Sequence, residues 1–88
     1  MLVTRNPRLL ASALPDGKTA LLVIETGRYV TFDETASAIW QRTQEPIAFA
    51  DLIASLLSEY DVAQDVLERD VTKALHKLAD MQVVTLAE

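Results

Sequence analysis

The sequence contains no cysteine, which excludes disulfides, thiolate-held metals and cysteine nucleophiles. That absence suits a cytoplasmic protein. Histidine is nearly absent too, His76 being the only one. With no second histidine to share a metal and no partner base, it reads as a surface residue beside Arg69, Lys73 and Lys77. The two glycines cannot build a phosphate-cradling loop. Basic residues are in deficit: Lys and Arg number 8 against 13 Asp and Glu, for a formal net charge of -5. Binders of phosphate backbones normally carry the opposite balance, so no nucleic-acid partner is expected. Long hydrophobic runs are missing as well. The longest is Ala20 to Ile24, far below the roughly 20 residues that span a bilayer, so no membrane association is expected. The apolar stretch Leu9 to Leu14 is too short for a signal peptide, and Pro15-Asp16-Gly17 ends it.

No catalytic constellation emerges. Ser12, Ser37, Ser55 and Ser58 lack the Gly-x-Ser-x-Gly setting of an activated hydroxyl. The acidic groups Asp33/Glu34, Glu59/Asp61 and Asp65/Glu68/Asp70 lack the spacing and glycine turn of an oxygen cage. The expectation is a binding protein, not an enzyme, with no cofactor and no metal.

What is present suffices for one domain over residues 1–88, half of it hydrophobic. The first third reads as strands. Residues 8–14 form a weak first strand, and Pro15-Asp16-Gly17 supplies a turn. Ala20-Leu-Leu-Val-Ile24 suits a strand buried on both faces. Glu25-Thr26-Gly27 turns the chain again, and Arg28-Tyr-Val-Thr-Phe-Asp33 alternates, with Val30 and Phe32 on one face and Tyr29 and Thr31 on the other. Asp33 is a suitable N-cap for a helix carrying Ala36, Ile39 and Trp40, which fades near Arg42-Thr43. Glu45-Pro46 breaks the chain. Phe49, Leu52, Ile53, Leu56, Leu57 and Tyr60 predict a second amphipathic helix. A third, from about Ala63 to Asp80, carries the stripe Leu67, Val71, Ala74, Leu75 and Leu78. Met81 to Leu86 reads as an apolar extended tail. The expected class is α+β: a three-stranded antiparallel sheet followed by three helices, winged helix-turn-helix-like. Trp40 is expected to be a buried ring packing the sheet onto the helices.

Two features have readings beyond structure. Arg69, Lys73 and Lys77 fall on one helical face. They form either a solvated face paired locally with Asp65, Asp70 and Asp80, or the DNA-reading surface of a winged helix, or an attractor for an acidic peptide. The last strand, Arg28 to Asp33, has no proline, and a free edge there would template another strand. The alternative is an edge covered by the amino-terminal segment or a second copy.

Gly27-Arg-Tyr-Val-Thr-Phe32 followed by Asp33-Glu-Thr-Ala-Ser-Ala-Ile-Trp40 resembles the signature of PqqD-like proteins, the RiPP recognition elements. Leu52-Ile53, Glu59-Tyr60, Glu68-Arg-Asp-Val71, Leu75 and Leu78 extend the resemblance over roughly residues 17–84. It implies that the leader region of a ribosomally made precursor peptide adds as a strand to Arg28, Tyr29, Val30, Thr31, Phe32 and Asp33. The leader would also pack against the third helix at Leu67, Asp70, Val71, Ala74, Leu75 and Leu78. Aspartate at 33 and the Glu-Thr-Ala-Ser-Ala-Ile-Trp run look most like the standalone members of lasso-peptide pathways. Such members imply further partners, a separate leader peptidase of the cysteine class and a cyclase. The alternative within the resemblance is a peptide chaperone serving a radical enzyme of cofactor biosynthesis. Two departures stand out: Ala74 replaces a larger apolar residue, deepening a pocket, and Gln82 replaces the glycine that usually stops the third helix.

Overall fold

The computed structural model describes residues 1–15 and 19–87, so the core of the turn expected at Pro15-Asp16-Gly17 lies outside the described residues. The fold is α+β with three helices, but the strands form two antiparallel sheets of three, not one. The three expected strands are β2 (Leu9–Ala13), β3 (Thr19–Val23) and β4 (Arg28–Thr31), in the order β2-β3-β4. The second sheet joins chain segments distant in sequence. Its central strand is β1 (Leu2–Arg5), flanked by the two-residue β5 (Ile47–Ala48) and by β6 (Val84–Ala87), the extended tail. Val3 pairs with Ile47 on one side and Leu86 on the other. Nothing in the local pattern predicts β1 or β5. Each is too short to show a period, and their partners come from elsewhere in the chain.

The turn after β3 works through one glycine. The Val23 carbonyl accepts from the N–H of Thr26 at 3.2 Å and of Gly27 at 2.8 Å. Gly27 closes the loop at φ 68°, a conformation that side chains disfavour. β3 is not buried on both faces as expected. Leu21 and Val23 are inside, Leu22 is half-buried and Ile24 is exposed, because the helices cover only one side of this sheet.

Asp33 caps α1 (Glu34–Arg42): its carboxylate accepts the Ala36 N–H at 2.8 Å, satisfying one of the helix's free donors. α2 (Phe49–Leu57) and α3 (Gln64–Asp80) follow. α3 ends where Gln82 takes φ 62°. The Val83 N–H then reaches back to the Leu78 carbonyl at 2.9 Å, and Gln82 to Ala79 at 3.0 Å. This is a Schellman stop, with glutamine in the position that favours glycine.

Both sheets and all three helices feed one core. Val3 and Val84 share one buried cluster with Leu21, Val23 and Val30 and with Ile39, Leu52, Leu56, Val71 and Leu75 of the helices. Trp40 is half-buried, not buried. Its ring tilts against Phe32 with centroids 5.8 Å apart, and its outer face is covered by the Arg5 guanidinium at 3.5 Å. Thus Trp40 links β1 as well as the end of the β4 segment to α1.

Candidate functional site

The backbone of β4 has one unpaired side. Within the described residues, β4 pairs only with β3. Which of its groups point outward follows from the register. The Ile24 N–H donates to the Arg8 carbonyl on the β2 side at 3.3 Å. N–H and C=O of one strand residue point the same way, and the direction alternates along the strand. Leu21 and Val23 therefore face β4, where they pair with Val30 and Arg28. Tyr29 and Thr31 are left with N–H and C=O directed outward. Their side chains are exposed, Tyr29 to 76%.

Beyond Thr31 the chain runs against α3. Thr31, Phe32, Asp33 and Ala36 face Ala74, Lys77, Leu78 and Met81 across a narrow cleft of about 70 Å³. Through Asp33, Ala74 and Lys77 it continues into a wider hollow of about 260 Å³, which adds Thr35, Asp70 and Lys73. Thr35 and Asp70 in turn border a third hollow of about 130 Å³, lined chiefly by apolar side chains including Tyr60, Val62, Leu67 and Val71. One track thus follows α3 from the end of β4 to the α2–α3 connection. β6, itself an edge, borders a larger and shallower hollow of about 600 Å³ near Gln82 and Glu25.

The residues singled out from sequence divide. Arg28, Tyr29, Thr31 and Asp33 are exposed on β4 or just past it. The strand stops at Thr31, two residues short of the expected end. Val30, Phe32, Leu67, Val71, Leu75 and Leu78 are buried and belong to the core. Of these, Phe32 and Leu78 also floor the cleft, and Leu67 and Val71 the far hollow. Asp70 is exposed and Ala74 half-buried, both on the track. Sequence reasoning missed Thr35, Ala36 and Met81, which reach the track from the helix start and the α3 terminus. Their signal, an apolar or small residue next to a cap, is common to all helices.

The basic stripe also divides. Lys73 and Lys77 line the track, whereas Arg69 borders none of its three hollows. The expected local pairing with Asp65, Asp70 and Asp80 does not form. Among the described residues the ion pairs are Arg8–Glu25 at 3.9 Å and Arg42–Glu59 at 2.6 Å. Holding a long exposed lysine in one pose costs about as much as the pairing returns. Asp33 is committed to the Ala36 N–H. Among the described residues, no three His, Asp or Glu side chains converge to hold a metal. His76 is exposed.

The family model for Coenzyme PQQ synthesis protein D (PqqD) matches residues 18–84. The chain belongs to the PqqD family. The match takes in β3, β4, β5 and the three helices, and therefore the whole track, while β1 and β2 precede it. Solved structures extend the likeness to nearly the full chain. TbiB1 in complex with the TbiA(beta) leader peptide gives a TM-score of 0.84 at 24% identity, covering 97% of this chain and 99% of that one. Lasso peptide synthetase B1 complexed with the leader peptide gives 0.79 at 26%, covering 96% and 98%. The PqqD truncation of Methylobacterium extorquens PqqCD, a stand-alone RiPP recognition element, gives 0.76 at 20%, covering 97% and 89%. No match is found among curated proteins.

Proposed function

We propose that this PqqD-family chain binds the leader segment of a ribosomally synthesised precursor peptide by strand addition to β4. In this reading it then presents that segment to a separate leader peptidase, a cysteine enzyme, in lasso-peptide maturation ahead of a cyclase. The observation that carries the reading is the open edge of β4 running into the α3 track. Family membership and the two leader-bound structures of like fold support it. The outward N–H and C=O groups of Tyr29 and Thr31 would supply register. The cleft and hollows beside α3 would take the leader's side chains. The module does no chemistry of its own; by holding the precursor it raises its concentration at the processing enzyme. We read the three helices and the β3–β4 hairpin as winged helix-turn-helix-like, with the third helix turned to peptide instead of DNA. A cytoplasmic location fits this role. Among the described residues, no helix is long and apolar enough to cross a membrane.

A second reading, a peptide chaperone for a radical enzyme of cofactor biosynthesis, is favoured by the family description and by the likeness to the PqqD truncation. The genes beside this one separate the two.

The direct test uses proline. Tyr29→Pro and Thr31→Pro each remove an outward N–H, which an edge strand tolerates. Both should keep the native circular dichroism and melting while losing capture of the precursor leader by at least about tenfold in Kd. Val30→Pro is the control, because its N–H is spent on β3 and its loss damages the sheet itself. Unchanged leader affinity in both outward variants rules out strand addition at β4.

A further inference from the structure

We infer that Lys73 and Lys77 read a carboxylate in the bound peptide, set two residues from an aliphatic side chain that enters the cleft at Ala74. This rests on the strand-addition reading and specifies the chemistry of its occupant. The two ammonium groups line the hollow next to the cleft, and among the described residues neither has an ion-pair partner. Of the two carboxylates sharing the hollow, Asp33 is held by the Ala36 N–H. Asp70 is exposed on the same helix and pairs with neither lysine. A charged side chain arriving between Lys73 and Lys77 thus meets two uncommitted cations.

The neighbouring cleft sets the second element. Its floor is Phe32, Ala36, Ala74 and Leu78, a narrow apolar bed that suits an aliphatic side chain. Ala74 is what leaves the space open; a larger residue there would fill it. Spacing ties the two subsites together. The cleft and the hollow adjoin, sharing Asp33, Ala74 and Lys77, and alternate residues of a strand lie about 6.6–6.8 Å apart on one face. A peptide strand passing β4 with one side chain in the cleft thus brings the next on that face toward the lysines. Arg69 borders none of these hollows and takes no part.

The test is selection from a displayed library of random peptides long enough to pass β4 and α3. Three proteins serve as bait: the natural chain, Lys73→Glu/Lys77→Glu, and Thr31→Pro. The natural chain should enrich peptides with Asp or Glu two positions from Leu, Ile or Val. The double charge reversal should enrich Lys or Arg at that position with its melting unchanged, and Thr31→Pro should enrich neither. For one enriched peptide, Glu→Gln should weaken binding by about tenfold, with the difference shrinking as salt rises. If enrichment is lost in Thr31→Pro but the acidic preference is absent, or is the same in the charge-reversed protein, the carboxylate assignment fails while strand addition stands. If the same peptides survive Thr31→Pro, or the natural chain enriches none, both fall.

Discussion

At Arg5 a charged side chain is drawn out of water and over an aromatic ring. Its guanidinium lies 3.5 Å from the Trp40 ring centre, donates through Nε to Thr43 Oγ1 at 3.2 Å, and through Nη2 to the Trp40 carbonyl. Thr43 is almost fully buried, and its hydroxyl donates in turn to the Trp40 carbonyl at 2.9 Å. Burial lowers the Arg5 pKa from its ordinary value, the sign of a desolvation cost. The ring and the two acceptors offset that cost. Lysine cannot reproduce this geometry, because it lacks the planar fork that stacks and donates at once. Arg5→Ala should therefore lower stability by about 2 kcal/mol, from the cation–π contact and the charged hydrogen bonds together. Arg5→Lys should lose a substantial part of the same amount. The shift of the urea midpoint measures both, and an Arg5→Ala midpoint equal to the natural one would contradict this role.

Between elements, the stop of α3 is held against local preference. Gln82 sits at φ 62°, where a side chain costs about 1–2 kcal/mol. The two hydrogen bonds of the stop, from Val83 and Gln82, return the chain toward β6. Gln82→Gly keeps both bonds and removes the clash, at the expense of extra freedom in the unfolded chain. The net expectation is a gain of about 0.5–1 kcal/mol, read as a higher denaturant midpoint with unchanged slope. A loss of stability would mean that the Gln82 side chain makes a contribution larger than its strain. The same logic sets the contrast along β4, where neighbouring residues have opposite duties. Val30 spends its backbone on β3, whereas Thr31 offers its backbone outward. Proline should thus unfold at one position and disable binding at the next.

Across the whole molecule, the amino terminus is structural. β1 holds β5 and β6 together, and Val3 is completely buried. The Phe49 N–H bonds the Met1 carbonyl at 2.8 Å and the Asn6 N–H the Val83 carbonyl at 3.0 Å. Small domains have little stability to spare. Removing residues 1–5 should therefore abolish the cooperative denaturant transition, even though the family match begins at residue 18. A sharp transition in that truncation would show that the second sheet is dispensable.

Much of this organisation can be read from the chain alone. The hairpin around Gly27, the Asp33 cap, the three helical stripes and the want of catalytic groups are local properties of composition and period. They follow from backbone sterics, hydrogen-bond chemistry and the helical repeat. The second sheet could not be read this way, because β1 and β5 are four and two residues long and, like the extended tail that becomes β6, find their partners far along the chain. The half-burial of Trp40 depends on Arg5, from 35 residues away. The division of the basic stripe depends on where the end of β4 meets α3. Which backbone groups of Arg28–Thr31 face outward depends on the β2–β3 register, fixed by a bond from Ile24 to Arg8. The sequence by itself determined the β3–β4 hairpin, the Asp33 cap and the three helices. The tertiary structure decided which edge, which lysines and which alanine face the same track, because adjacency between elements is a property of packing that no single segment encodes.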